Sequence, residues 1–203
     1  MQYFAIINIF VANNCNMKSN KPTIAIDMDG VLADIEAQFI SWYHRDYGVL
    51  ISREDMLGKP EPEAFPDKDA VWRFVNTPGF FRTLPVMPNA VAVVKELMQD
   101  FDIYIVTAAM EFPLSLFEKY EWLKEHFPFI SWKNIVMCGD KSVIATDYLI
   151  DDHCKNLDFC KGRAIMFSAA HNSNIDRHER VSSWNEVKAL FAGIQKPAES
   201  NLV

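Results

Sequence analysis

The chain has 203 residues, of which 50% are hydrophobic and 23% are charged, and its formal net charge at pH 7 is -7. This length fits one domain, or one core with a small inserted subdomain, and the composition is that of an ordinary soluble globule. The acidic balance argues against binding to nucleic-acid polymers, which usually need a basic face. A small phosphorylated ligand stays compatible, because a divalent cation and one or two lysines can reverse the charge inside a pocket.

Residues 1–20 are expected to lie outside the folded core. Their apolar run, Tyr3 to Ala12, is only about ten residues long, whereas a membrane-spanning helix needs roughly twenty. The run lacks the basic start and the small-residue cleavage site of a secretory signal. We expect a disordered extension, or a native start at Met17, and no membrane association. An exported or lipid-anchored form is the alternative.

The cysteines give a weak indication of the cellular compartment. The four of them are Cys15, Cys138, Cys154 and Cys160. They show no Cys-x-x-Cys spacing of the kind found in zinc sites. We expect four free thiols in a reducing compartment, and therefore a cytoplasmic protein.

Apolar strand patterns alternate with amphipathic helix patterns along the rest of the chain. In chain order, the predicted elements are a strand at Thr23–Ile26, a helix at Ala90–Gln99, a strand at Asp102–Val106, a helix at Ser115–His126, strands at Asn134–Cys138, Asp147–Ile150 and Ala164–Phe167, and a helix at Trp184–Phe191. This alternation is typical of a parallel sheet with helices on both faces. We therefore predict an α/β fold, a three-layer Rossmann-like sheet that binds ligands beyond the carboxyl ends of its strands.

The segment 34–85 separates the first two predicted strands and is longer than one crossover helix requires. It contains a Pro-rich stretch from Gly58 to Pro62 and many aromatic residues, among them Trp42, Tyr43, Tyr47, Trp72, Phe74, Phe80 and Phe81. We predict that it forms an inserted, mostly helical cap over the strand ends. The core would then comprise residues 21–33 and 86–194, and residues 195–203 would form a tail.

Two acids, Asp27 and Asp29, directly follow the first predicted strand, within the sequence Asp-Met-Asp-Gly-Val-Leu-Ala-Asp of residues 27–34. At this spacing both can reach one metal ion or one phosphate, and Gly30 lets the chain turn sharply. Mg²⁺ favours carboxylate oxygens, water and substrate phosphate as ligands. An isolated Asp-x-Asp is more often a solvated turn or a helix cap, so the other strand ends decide its interpretation.

Three further strand ends carry groups that suit a phosphate site. Thr107 ends the second predicted strand, Lys141 follows the third, and Asp151-Asp152 follows the fourth. A lone threonine or lysine at such a position usually has only a structural role. Two adjacent acids after an apolar strand, however, repel each other unless a cation or a hydrogen-bond donor meets them. The full order predicts one phosphate and metal site at the rim of the sheet.

This combination resembles the haloacid dehalogenase superfamily of phosphohydrolases. Beyond the opening motif, five segments are similar to the 5′(3′)-deoxyribonucleotidase family: Pro78-Gly79-Phe80-Phe81, Glu118-Lys119-Tyr120-x-Trp122, Asp140-Lys141, Leu149-Ile150-Asp151-Asp152 and His171-Asn172. The similarity extends over nearly the whole chain beyond the N-terminal extension. It implies a haloacid dehalogenase-like core and a magnesium-dependent phosphatase that hydrolyses (deoxy)nucleoside monophosphates.

The resemblance also implies a two-step reaction. Asp27 would attack the phosphorus and form an aspartyl-phosphate, and Asp29 would act first as general acid and then as general base. Mg²⁺ would be held by Asp27, by the backbone carbonyl of Asp29 and by Asp152, with Asp151 in support. The phosphoryl oxygens would be bound by Thr107, Lys141 and the backbone N–H groups at Ala108 and Ala109.

Two positions in the cap, and two positions where this chain differs from the family's pattern, bear on the substrate. By position, Ile35 and Phe74 match residues that face the nucleoside in the family; Phe74 could stack on a base, which is worth roughly 1–3 kcal/mol, or it could pack inside the cap. The family's Thr-Ser-Pro after the second strand is Thr107-Ala108-Ala109 here, and its arginine two residues before the lysine is Gly139. A hydroxyl and a cation near the phosphate are therefore missing, which bears on substrate identity.

Other interpretations remain open at this level. A capped phosphatase could act on another small ester, such as a sugar phosphate. A phospho-accepting receiver also combines acids, a Thr and a Lys, but it carries its phosphorylated Asp on a later strand and has no large insert after the first. A binding protein that has lost activity would not need the complete set of acids, Thr107 and Lys141. The sequence leaves base preference and 5′ versus 3′ specificity undetermined, and it is compatible with a homodimer.

Overall fold

A six-stranded parallel sheet forms the centre of the protein in the computed structural model, which describes residues 21–194. The strands are β1 Thr23–Ile26, β2 Asp102–Thr107, β3 Ile135–Met137, β4 Tyr148–Asp151, β5 Arg163–Phe167 and β6 Glu179–Val181. Their order across the sheet is β3-β2-β1-β4-β5-β6. Ile24 of β1 pairs with Ile103 of β2 on one side and with Tyr148 of β4 on the other. The chain direction across the sheet reverses beside β1, which places a ligand crevice at its carboxyl end.

Seven α-helices accompany the sheet in the described part of the chain. They are α1 Ile35–Tyr47, α2 Arg53–Met56, α3 Asp69–Val75, α4 Ala90–Leu97, α5 Ser115–His126, α6 Cys154–Leu157 and α7 Trp184–Ile194. Five short 3₁₀ turns occur as well, at Glu61–Ala64, Ala109–Glu111, Trp132–Asn134, Lys141–Val143 and Ala170–Asn172.

Apolar side chains cover both faces of the sheet. Ile24 and Ile26 point into the larger core cluster, which includes Phe101 and Phe191, while Ala25 points into a second cluster on the opposite face. Successive strand residues face opposite sides, so a continuous apolar run such as Thr23–Ile26 needs packing partners on both. The result is the predicted three-layer α/β arrangement.

The insert between β1 and α4 consists of α1, α2, one 3₁₀ turn and α3, and aromatic side chains hold it together. The Phe39 and Phe80 rings lie 4.9 Å apart, and Trp42 packs edge-on against both Phe74 and Phe80. Helix α1 begins where the Asp34 carboxylate accepts a hydrogen bond from the Ala37 N–H at 3.0 Å. These ring contacts form the apolar interior of the insert, which accounts for the many aromatic residues in this short helical segment.

Long-range hydrogen bonds dock the insert and the segment that follows it onto the core. The Ala170 N–H donates to Glu36 Oε1 at 2.5 Å, and the Gly58 N–H donates to the Ala170 carbonyl at 2.8 Å. The Glu118 carboxylate accepts from the backbone N–H groups of residues 79, 81 and 82, which follow α3. These contacts determine which face of the insert meets the strand ends.

The sequence prediction and the structure agree closely, with two omissions. The five predicted strands and three predicted helices are present with small shifts at their ends, but the short helix α6 and the strand β6 were not predicted. β6 is a short edge strand in which only Val181 is buried, so it lacks an apolar run. None of the helices in residues 21–194 is both long and apolar enough to cross a membrane.

Some predictions concern segments beyond these residues. The expectations for residues 1–20, including Cys15, and for residues 195–203 lie outside the described residues. The other three cysteines, at positions 138, 154 and 160, are free thiols.

Candidate active site

Three buried carboxylates meet at the carboxyl ends of the two central strands. Asp27 follows β1, Asp151 ends β4, and Asp152 comes next in the chain. One oxygen from each lies within 4.8 Å of the others. The parallel register of β1 with β4 therefore brings together the acids that the sequence placed at separate strand ends.

A tight turn after β1 leaves room for the Asp152 carboxylate. The Met28 carbonyl accepts hydrogen bonds from the N–H groups of Leu32 and Ala33 at 2.9 Å, which folds residues 28–33 back on themselves. Gly30 sits in this turn with a φ of 76°, a conformation that L-residues other than glycine rarely adopt. A Cβ at this position would overlap the Asp152 carboxylate. Glycine is thus required both by the turn and by the acid next to it.

Lys141 lies between two of the acids. Its Nζ is 2.7 Å from Asp27 Oδ1 and 2.7 Å from Asp151 Oδ2, and its side chain is only 2% exposed. Burial by itself lowers the pKa of Lys141, but the charges of Asp27 and Asp151 more than reverse this, so its pKa lies above the ordinary value. The lysine is a permanent cation at the centre of the cluster.

One lysine does not neutralise the cluster. Burial raises the pKa of Asp27 well above its usual range; Lys141 opposes this shift, and the neighbouring aspartates add to it. Burial and then the charge of Asp151 raise the pKa of Asp152 in the same way. Such a site holds all its carboxylates ionised only if a further cation lies among them.

The two adjacent acids, Asp151 and Asp152, differ in their hydrogen bonds. The Asp151 carboxylate accepts from Lys141 Nζ, from the His153 N–H and from Asn156 Nδ2, at 2.7–3.0 Å. Asp152 Oδ1 is buried without a hydrogen-bond partner among the described residues. An unpaired buried carboxylate oxygen facing other acids fits a hard divalent cation, and an all-oxygen set suits Mg²⁺.

Asp29 contacts a residue that the sequence analysis did not assign to the site. Lys119 Nζ lies 2.5 Å from Asp29 Oδ2 and donates to Thr107 Oγ1 at 3.0 Å. Lys119 is buried on α5 together with Ser115, Trp122 and Leu123. A lysine in the apolar stripe of a helix was the signal that could have identified it, because buried lysines need a partner.

A cavity of about 380 Å³ opens above the acids. Its base includes Asp27, Asp29, Lys141 and Asp152, and Ala108 also lines it. Apolar and aromatic side chains line much of the remaining wall, namely Ile35, Phe39, Val71, Trp72, Val75, Phe81 and Phe112. A polar base under an apolar wall can hold a small molecule with one charged end.

Of the remaining predicted site residues, one lines the cavity and two are buried away from it. Ile35 lines the cavity. Phe74 is not among the lining residues: it is buried and packs against Trp42 and Phe80, which is the packing alternative given for it above. Thr107 is fully buried behind the cavity, where its hydroxyl accepts the Lys119 hydrogen bond.

The chain is similar to known proteins over most of its length. The family described as 5′ nucleotidase, deoxy (pyrimidine), cytosolic type C protein matches residues 21–196. A Bacillus subtilis 5′(3′)-deoxyribonucleotidase is 38% identical over 168 residues, which cover 83% of this chain and 97% of that protein. A Staphylococcus epidermidis protein is named as a provisional 5′(3′)-deoxyribonucleotidase. It is 47% identical over 174 residues, which cover 85% of this chain and 97% of that protein.

Solved structures show the same fold. A haloacid dehalogenase family hydrolase from Deinococcus radiodurans, solved with bound phosphate and sodium, superposes with a TM-score of 0.57. The two proteins are 15% identical, and the match covers 88% of this chain and 99% of the other. At this identity the likeness concerns the fold alone.

Proposed function

This chain belongs to the family described as 5′ nucleotidase, deoxy (pyrimidine), cytosolic type C protein. From that membership we propose that it hydrolyses deoxynucleoside monophosphates to nucleoside and inorganic phosphate. The observation that carries the proposal is the position of Asp27. It lies in the base of a cavity with a cation, Lys141, on one side and further acids around it. A nucleotide offers both a phosphate for this base and a planar ring for the aromatic wall above it.

The first step is a displacement at phosphorus. An Asp27 carboxylate oxygen forms a bond to the phosphorus as the bond to the ester oxygen breaks, and the Asp29 carboxyl gives its proton to the leaving oxygen. In the second step water attacks the aspartyl-phosphate and gives its proton to Asp29. The phosphorus–Asp27 bond breaks and inorganic phosphate leaves, so the enzyme returns to its initial state.

The phosphoryl oxygens need donors in both steps. Lys141 supplies a fixed ammonium beside the Asp27 oxygen at 2.7 Å. The backbone at Ala108 lines the same base, and Thr107 is positioned one residue earlier, at the end of β2. Donors that are already oriented stabilise developing charge at little reorganisation cost.

Asp27, the backbone carbonyl of Asp29 and Asp152 would hold Mg²⁺, with Asp151 orienting Lys141. The unpaired Asp152 Oδ1 and the saturated Asp151 carboxylate support this division of roles. When bound, the ion would neutralise charge on the phosphoryl group and on the acids. The chain's own residues then bind the phosphate, orient it and move the proton.

A substrate panel tests the proposal. The experiment compares kcat/KM for deoxynucleoside monophosphates, ribonucleoside monophosphates and sugar phosphates, with Mg²⁺ and with EDTA. We expect the deoxynucleotides to lead and EDTA to remove activity. A preference for sugar phosphates with silence on every nucleotide would replace the substrate part of the proposal, and EDTA-resistant turnover would contradict the metal part.

The proposal also includes a cytoplasmic location and a homodimer. The free thiols of Cys138, Cys154 and Cys160 are compatible with a reducing compartment. Sedimentation equilibrium of the full chain determines the oligomeric state directly.

A further inference from the structure

A second group of metal-ligating side chains lies beside the acid cluster. Glu61 comes from the 3₁₀ turn Glu61–Ala64 of the insert, His153 follows β4, and His171 lies in the 3₁₀ turn after β5. One donor atom from each of the three lies within 4.8 Å of the other two. All three are partly accessible, and Glu61 and His153 line the cavity.

The hydrogen bonds of His171 orient it as a ligand. Its Nε2 is 3.1 Å from the Asp152 carbonyl oxygen, which can only accept, so Nε2 carries the proton. Its Nδ1 pairs with Glu61 Oε1 at 3.2 Å. Burial lowers the pKa of His171, but the Glu61 hydrogen bond and the charge of Asp152 more than reverse this and raise it to about 9, so a metal ion at Nδ1 has to displace a proton. Metal-binding histidines commonly donate their second ring N–H to a backbone carbonyl in this way, which fixes the ring and directs the other nitrogen at the ion.

His153 is the third member of the group and lies against the His171 ring. Its ring lies 4.3 Å from the His171 ring at an angle of 17°, and its side chain is 39% exposed. Its Nε2 is 3.9 Å from Asp152 Oδ2, too far for a hydrogen bond. A metal ion lies in the plane of each imidazole that binds it, so the His153 ring has to turn about its Cβ–Cγ bond. Its exposure gives it room to do so.

We propose that Glu61, His153 and His171 bind a divalent transition-metal ion of the zinc class. Two imidazoles and one carboxylate, with water as a fourth ligand, are a common tetrahedral set for Zn²⁺. Imidazole nitrogens favour zinc, nickel or copper over Mg²⁺, which prefers oxygen. The two neighbouring sites therefore differ in the metal they select.

Such an ion would join the insert to the core, because Glu61 belongs to the insert and both histidines belong to the core. It would hold one wall of the cavity in place. We expect bound zinc to slow the exchange of ligands through the cavity and hence to inhibit turnover. The binding itself does not depend on the proposed nucleotidase activity and is measured separately from it.

The test is a calorimetric titration of the full-length protein with Zn²⁺ at pH 8. A large excess of Mg²⁺ occupies the oxygen site, and the Zn²⁺ displaces the proton that His171 carries at this pH. We expect one Zn²⁺ per chain. Glu61→Gln and His153→Gln should each weaken binding by about tenfold or more, since even the loss of an outer-shell partner costs 10–100-fold. His44→Gln, an exposed histidine on α1, is the matched control and should change nothing.

Two further measurements separate this site from other zinc ligands. In ¹H–¹⁵N spectra of the histidine rings, one equivalent of Zn²⁺ should shift His153 and His171 and leave His44 in place. Asp152→Asn should keep the zinc event, although it removes a proposed Mg²⁺ ligand. Zinc binding that persists unchanged in both Glu61→Gln and His153→Gln, that disappears in excess Mg²⁺, or that shifts neither ring would overturn the proposal. Thermal melting of each variant checks that it is folded.

Discussion

Replacing Lys119 by methionine isolates the role of the buried Lys119–Asp29 pair. Methionine keeps most of the length and apolar contact of the lysine but removes the ammonium that lies 2.5 Å from Asp29 Oδ2 and 3.0 Å from Thr107 Oγ1. We expect Lys119 to be a positioning residue that holds the Asp29 carboxyl toward the leaving oxygen. Its loss should therefore slow the protonation of the leaving group.

The magnitude follows from the environment of the pair. A hydrogen bond to a charged group contributes about 1.5–3 kcal/mol, and about 1.4 kcal/mol corresponds to a tenfold change in rate. The Lys119 side chain is 2% exposed, but the Asp29 side chain is 23% exposed, so water can replace part of the interaction. We expect kcat to fall about 10- to 50-fold, the lower part of the range set by these two values.

The assay is single-turnover kinetics with two esters. A deoxynucleoside monophosphate has a poor leaving group that needs a proton, whereas p-nitrophenyl phosphate has a good one that hardly does. Lys119→Met should slow the first ester much more than the second. Lys124→Met, an exposed lysine on the same helix, is the control and should retain both rates. An equal loss on both esters, or no loss on either, would refute the positioning role.

The remaining predictions use other parts of the structure. Asp27→Asn should remove turnover by about 10⁴-fold or more while thermal melting shows a retained fold, because the nucleophile is lost and Lys141 keeps Asp151 as a partner; near-normal rates would exclude Asp27. Gly30→Ala should lower stability and raise the Mg²⁺ concentration needed for activity, whereas Gly48→Ala, with a φ of 68° and open space around it, should cost only the backbone strain of about 1–2 kcal/mol; equal Mg²⁺ dependence in the two variants would contradict the overlap with Asp152. Mg²⁺ at 100 times its Kd should stabilise the protein by about 2.7 kcal/mol, and Asp152→Asn should remove most of that shift in differential scanning calorimetry; an unchanged shift would place the ion elsewhere. Hydrogen bonds from Arg177 and His178 lower the pKa of Asp158 to about 2, so this carboxylate should stabilise the fold above its unfolded pKa of 3.8 and lose that contribution as the pH falls towards 2; a ¹³C carboxyl titration near 4 would show that the ion pairs do not persist in solution.

The residues at the strand ends were the part of the site that could be predicted from the sequence. A short apolar run followed by a polar residue predicts both a buried strand and the position of its carboxyl end, as at Ile26-Asp27 and Ile150-Asp151. In a parallel sheet those ends share one edge, so the acids and Lys141 could be placed together without coordinates. The edge strand β6 was missed because only one of its three residues is buried.

The cavity wall could not be predicted in the same way. Phe74 and Phe39 are both buried aromatic residues of the insert, yet only Phe39 reaches the cavity. Which ring faces the strand ends depends on how the insert docks. That docking rests on contacts such as Glu36 with Ala170, which are 134 residues apart in the chain.

The amino-acid sequence by itself determined the α/β class, the helical insert after the first strand, and the set of acids at the rim of the sheet, because these follow from local apolar patterns and from the common direction of parallel strands. Only the tertiary structure decided that Lys119 pairs with Asp29, that Asp151 is saturated while Asp152 keeps a free oxygen, and that Glu61 meets two histidines. Hydrogen-bond partners and facing side chains depend on ångström-scale packing between distant segments, which no local pattern encodes.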